Sequence, residues 1–210
     1  MVKGTVFADQ PGTLDALQTN LRWYPKDIWW YLLACQWRRI AQEEPFVNRT
    51  AEVGDNMGSE IIAAREVRDC LRMALLHTRA YAPYSKWLGT AFSLLRDPDG
   101  LGGCLKNALR AAKTVDREHH LGQAYQLLAA RFNQLLPEDA RLDTALRPFF
   151  DRPALILDAE RFVSAALANV QDAETKALPL VGSIDQFIDS TDVLSSPGRC
   201  LQLQMVYSSS

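Results

Sequence analysis

The sequence predicts an all-α domain, a bundle of about six to eight helices led by two long ones, with a short N-terminal strand or arm. Three observations predict it. Apolar residues recur at helical spacing in separate windows: Trp30, Leu33, Trp37 and Ile40, then Ala63, Val67, Cys70 and Ala74, then Leu121, Tyr125, Leu128 and Phe132. Breakers fall between these windows, at Pro45, Pro83, the run Asp97-Pro98-Asp99-Gly100 and Pro137. The chain has 210 residues, 48% apolar and 23% charged, which suffices for one sizeable core.

The elements follow in order. Val2, Thr5, Val6 and Phe7 read as a β-like arm within residues 1–12, and one strand needs a partner. Thr13 is placed to cap a short helix over 14–22. Pro25 fits a first helical position, and a long helix is expected from there to about Glu44, stopped by Pro45. On it, Arg39 and Glu43 are four apart and positioned to pair. A loop through Asn48 and Thr50 leads to a second long helix over 57–80. Its stripe of small residues admits a close neighbour, while Arg65, Asp69 and Arg72 form a second, charged stripe. A turn at Tyr81-Ala82-Pro83-Tyr84 precedes a short helix bearing Lys86, Trp87 and Phe92.

Helices over 101–113 and 116–136 come next, and a proline-broken stretch over 137–153 wraps the surface. Phe162, Ala166 and Val170 mark the inner face of a helix over 159–172, and a turn occupies 174–179. Ser183-Ile184-Asp185-Gln186 has capping-box spacing and starts a short helix. The helical domain therefore spans 13–194, and the serine-rich tail over 195–210 is expected to be loosely held.

Composition excludes several classes. The net charge of -2 exerts no pull toward nucleic acid or anionic membrane. No apolar run approaches bilayer length, and MVKGTVFADQ has no signal-peptide apolar segment, so a cytoplasmic location is expected. The four cysteines are widely spaced and lack metal-ligand patterns, so reduced thiols are expected. Nucleotide-binding glycine loops, zinc-protease motifs and nucleophile elbows are missing.

The candidate functional residues lie between Trp23 and Phe92, where all five tryptophans fall. Arginine forks at 65, 68 and 72 beside Asp69 suit a carboxylate or phosphate. Trp37 belongs to a stripe that reads either as core or as a stacking wall. Trp29 and Trp30 point about 100° apart, which raises the prospect that one lines a pocket. Tyr84 and Lys86 return the chain to the end of the second long helix. Together these predict a polar-floored groove joining Glu44, Arg65, Asp69 and Lys86. Arg72 and His77 have the Arg-x4-His spacing of HEPN-type ribonucleases, although Met73 departs from the polar residue usual there. Gly182-Ser183 with Asp185, Asp189 and Asp192 resembles a nucleotidyltransferase metal site in residue type. The acids are spaced for a helix, which favours capping.

Four strings in order, WYPKDIWWYLLACQWRRIAQEE, RTAEVGDNMGSEIIAAREVRD, YAPYSKWLGTAF and GSIDQFIDSTDVL, resemble the domain-of-unknown-function family numbered 4037. In that family the helical region follows a nucleotidyltransferase-like α/β domain, and GTVFAD resembles the junction. The resemblance implies a substrate- or partner-binding domain without its catalytic Asp-x-Asp half, inactive alone. Magnesium and a nucleotide would enter only with that half. By analogy with kanamycin-type nucleotidyltransferases, one of Glu43, Glu44, Asp55 or Glu60 would be a base, with Arg65, Arg68, Tyr84 and Lys86 contacting ligand. The alternatives are an interaction module docking through the N-terminal strand and aromatic helix, and, remotely, a HEPN-like ribonuclease.

Overall fold

Helix α2 (Lys26–Glu43) is the axis of the molecule. Every residue from Trp29 to Trp37 on it is buried, so it needs neighbours on all sides rather than along one stripe. The structure, a computed structural model, describes residues 6–97 and 99–208. It is predominantly α-helical. Before the axis comes α1 (Thr13–Asn20), which buries none of its residues. Its N-cap is Gly12 in the left-handed region, and Thr13 is already helical rather than the cap. The expected N-terminal strand falls partly on residues 1–5, outside the described residues. Phe7 beyond them is exposed and in no strand.

After Pro45 the chain does not loop as expected. It turns directly into α3 (Phe46–Glu52), because Pro45 sits at the cap, where a missing N–H costs nothing. Asp55 then caps α4 (Asn56–His77), accepting from the Gly58 amide at 2.8 Å. Helices α2 and α4 pack antiparallel. Trp29 Nε1 donates to Leu76 O at one end, Gln36 Nε2 to Asp69 O in the middle, and Arg65 pairs with Glu43 at the other end. The small residues Ala63, Val67, Cys70 and Ala74 face inward, all at most 5% exposed.

Helices α5 (Ser85–Ser93), α6 (Leu101–Arg110) and α7 (Thr114–Asn133) complete the larger half. Leu121, Tyr125, Leu128 and Phe132 of α7 enter the core as their spacing predicts. Residues 137–153 contain a 3-10 turn, Glu138–Ala140, and strand β1 (Arg147–Pro148). It pairs antiparallel with β2 (Leu155–Ile156), a ladder too short to show alternation in sequence. Helix α8 (Glu160–Ala168) presses Phe162, Val163 and Ala166 onto α2. Residues expected as a turn form α9 (Ala173–Ala177), capped by Asp172. The C-terminal part consists of single turns: α10 (Ile184–Phe187), α11 (Thr191–Leu194), α12 (Pro197–Gln202) and a 3-10 turn, Leu203–Tyr207.

The tail is therefore more ordered than its composition implies, and Tyr207 Oη donates to Gly182 O at 2.8 Å. All four cysteines are free thiols. No helix among the described residues is long and apolar enough to cross a membrane.

Candidate functional site

Four arginines converge on the seam between α2 and α4. Arg39 comes from α2, and Arg65, Arg68 and Arg72 come from α4, where steps of three and four keep them on one side. Each meets a carboxylate. Asp69, 1% exposed, accepts from Arg39 through both oxygens, at 3.1 and 3.2 Å, and from Gln36 Nε2 at 3.1 Å. Arg72, 4% exposed, meets Asp185 at 3.0 Å. Arg68 pairs with Asp189, and Arg65 pairs with Glu43. The i,i+4 pairing of Arg39 with Glu43 gives way to cross-helix pairs, since buried charges hold the partner that best replaces water.

Two of these carboxylates come from a strap, residues 182–189, laid across the seam. Gly182 turns it with φ 86°, and the Gln186 side chain accepts from the Ser183 amide at 2.9 Å, as capping-box spacing predicts. Gln186 Nε2 then donates to Gln36 Oε1 at 3.0 Å, joining strap to helix. Tyr31 fixes the strap's approach, its Oη donating to Pro179 O at 2.6 Å. The Gly182-Ser183 and Asp185, Asp189 set is thus a capped turn that answers arginines. Among the described residues no three His, Cys, Asp or Glu side chains converge as a metal would require. A Cβ on Gly182 would lie 2.3 Å from Gln186 Oε1 at a backbone conformation that L side chains avoid. Gly182→Ala is expected to cost about 1–3 kcal/mol, read as a lowered melting temperature. An unchanged value would show that the strap does not bear on stability.

The strap changes the predicted groove. It roofs the seam over Arg68 and Arg72, leaving beside Trp23, Tyr24, Gln36 and Asp185 a cavity of about 20 Å³, room for one water. Lys86 does not approach Glu44. Arg65 lies twelve residues before the end of α4, about 18 Å along the axis, and Lys86 lies beyond that end over the Trp87 ring. Tyr84 is half-exposed at the start of α5. Trp37 is no wall of a site. It is fully buried, with its ring 4.7 Å from Phe162 and 5.9 Å from Phe132. Trp29 and Trp30 are each 4% exposed, because α2 is enclosed all round, so neither lines an open pocket.

The four acids proposed as bases separate sharply. Asp55 is a helix cap. Glu60 is an exposed partner of Arg117, whose own buried guanidinium also holds Ser59 and Ala111 O. Glu44 is buried and accepts from the Leu157 and Ala159 amides at 2.8 and 2.9 Å, tying α2 to the start of α8. Burial pushes its carboxyl up to about 7 against the pull of those amides. Glu43 stands at the open end of the seam. Burial raises its carboxyl above the ordinary range, Arg65 opposes the rise, and its Oε2 has no hydrogen-bond partner.

Arg72 and His77 go to different neighbours. Arg72 faces the strap, and the His77 ring lies 6.3 Å from Phe132 with both nitrogens buried and unpartnered. Burial drives the imidazole down to about 3, so it stays neutral at ordinary pH. Glu66, which the sequence groups with the charged set of Arg65, Arg68, Asp69 and Arg72 but not with the candidate site residues, is fully buried on α4 and accepts from Tyr125 Oη at 2.7 Å. Burial lifts this carboxyl well above the usual range. Its position beside Val67, on the inward side of α4, is the one sequence signal for it.

Residues 1–88 match the family described as Domain of unknown function (DUF4037). No curated protein and no solved structure matches the chain. The DUF4037 match takes in α2, α4 and their seam, with Glu43, Arg65, Arg68, Asp69, Arg72, Tyr84 and Lys86. The strap and its GSIDQFIDSTDVL string lie beyond the matched residues.

Proposed function

We propose that this chain is a helical substrate- or partner-binding domain of a nucleotidyltransferase-like protein, with the Asp-x-Asp half supplied elsewhere and no transfer activity of its own. The observation that carries it is the open end of the α2–α4 seam. The deeper ion pairs are closed by the strap, but Arg65 remains about half exposed beside Glu43. A carboxyl lifted by burial, next to an accessible guanidinium, suits a proton acceptor beside an anion contact. Glu43 is the base candidate this geometry favours, because Glu44, Asp55 and Glu60 are engaged in holding the fold or a neighbouring arginine.

A thermal-shift series with nucleotides, magnesium, and sugar or aminoglycoside-like ligands tests the reading, since a bound ligand stabilises by mass action. Arg65→Ala is expected to change the melting temperature by no more than about 4 °C, an exposed ion pair being worth under about 1 kcal/mol. The same variant should abolish the ligand-induced shift. A lowered melting temperature without any effect on ligand would leave Arg65 a structural residue and sink the proposal. Metal-dependent nucleotide transfer by the isolated chain, lost in Asp189→Ala, would also sink it.

A second reading, an interaction module, draws on α1. Leu14 and Leu17 of α1, which buries nothing, and Leu21 at its C-cap stand at helical spacing, each 37–46% exposed. Charge substitution at Leu17 separates the two readings, since it leaves the Glu43–Arg65 end untouched.

A further inference from the structure

Helices α5 and α6 both stand on α4 but splay apart from each other, and between them lies a cleft of about 410 Å³. Its walls are apolar: Leu71 of α4, Phe92 of α5, and Leu105 and Leu109 of α6. That size and lining fall within the range of small-molecule sites. Asp97 and Asp99, between the two helices, are held in place. Arg131 of α7 donates to Asp97 at 2.9 Å and pairs with Asp99, and Asp97 also accepts from the Gly102 amide at 2.8 Å. The rim of the cleft at Asp97 and Gly102 is therefore tied to α7 through Arg131.

Its glycines supply a second observation. Gly89 and Gly103 lie within helices, where glycine disfavours the fold relative to alanine, and both line the cleft. A Cβ at either would meet nothing within 4 Å, so packing does not demand glycine there. Gly102 differs, since a Cβ there would press on Phe92 and Asp97 at 3.0 Å. The missing side chains at 89 and 103 keep volume free in the cleft. At its rim stands Lys106, exposed and in no ion pair among the described residues, while the Asp97 carboxylate is committed to Arg131.

We propose that this cleft binds a small free amphiphile, an apolar chain with a single anionic head group that meets Lys106. The proposal is independent of the α2–α4 seam. Titration of the full chain with decanoate, decanol and decylamine, followed by calorimetry, tests it. Saturable binding is expected, tightest for decanoate. Gly103→Leu fills the cleft and should weaken decanoate by at least about tenfold. Gly103→Ala and Gly89→Ala should keep or raise the melting temperature, and Lys106→Ala should erase the preference for decanoate over decanol. Leu109→Asp, at a half-exposed position that the fold tolerates, should weaken decanoate more than decanol. Absence of saturable binding overturns the proposal. So does unchanged binding in folded Gly103→Leu, or a head-group order that survives both Lys106→Ala and Leu109→Asp. Binding confined to phosphatidylglycerol vesicles, with none to free decanoate, would assign the surface to a membrane and overturn it as well.

Discussion

Trp37→Ala is expected to lower the melting temperature by about 6–20 °C, from a loss of about 3–5 kcal/mol at about 2–4 °C per kcal/mol for a chain of this size. The ring is fully buried between Phe132 of α7 and Phe162 of α8, so its removal empties the place where three helices meet. Trp37→Phe should recover much of the loss, because Trp37 Nε1 is buried without an acceptor and phenylalanine removes that donor along with some volume. Thermal unfolding followed by circular dichroism provides the measurement. A stable Trp37→Ala chain that had lost only ligand binding would return this ring to the role of a stacking wall.

Glu44→Gln is expected to cost about 1–3 kcal/mol at pH 5, about 2–12 °C in melting temperature. An amide offers one acceptor where Leu157 and Ala159 present two buried N–H donors, and its own N–H groups then face a donor. The pH dependence has a definite sign. Burial raises the folded carboxyl from 4.5 to about 7, so the folded state holds this proton more tightly than the unfolded chain does. The Glu44 contribution is full below pH 4.5 and is lost as pH rises through 7, by about 3 kcal/mol at most. The gap between native chain and Glu44→Gln should therefore narrow from pH 4.5 to 7. A gap that widens with pH would mean the two amides win over burial and hold the carboxylate charged.

These expectations show which features the amino-acid pattern revealed. Trp30, Leu33, Trp37, Ile40 and then Glu44 lie on one helical stripe, and all five are buried. The pattern placed Glu44 inward without showing its purpose, because its acceptors' partners arrive 113 and 115 residues later. Ala63, Val67, Cys70 and Ala74 likewise marked a buried face of α4. Ser183-Gln186 was legible as a local capping signal, which depends only on neighbours within a turn, whereas Asp55, read as a candidate base, caps α4. Trp29 was not. Helical geometry starts it in a different direction from Trp30, though the two rings end 5.3 Å apart, but whether that second direction is solvent or protein depends on α4, whose last turn accepts its indole N–H.

What the sequence by itself determined is the all-α class, the inward stripes and the Ser183-Gln186 capping box, since period, capping chemistry and proline placement are properties of a few adjacent residues. Only the tertiary structure decided the site. Arg65, Asp69 and Arg72 are equivalent on a helical wheel, yet Asp69 is sealed by Arg39, Arg72 is covered by Asp185, and Arg65 is left half open. The difference comes from the strap at 182–189, more than a hundred residues downstream, and from where it ends along the seam. A charge takes its character from its partners and its distance from water, and both are fixed by segments that sequence spacing does not relate.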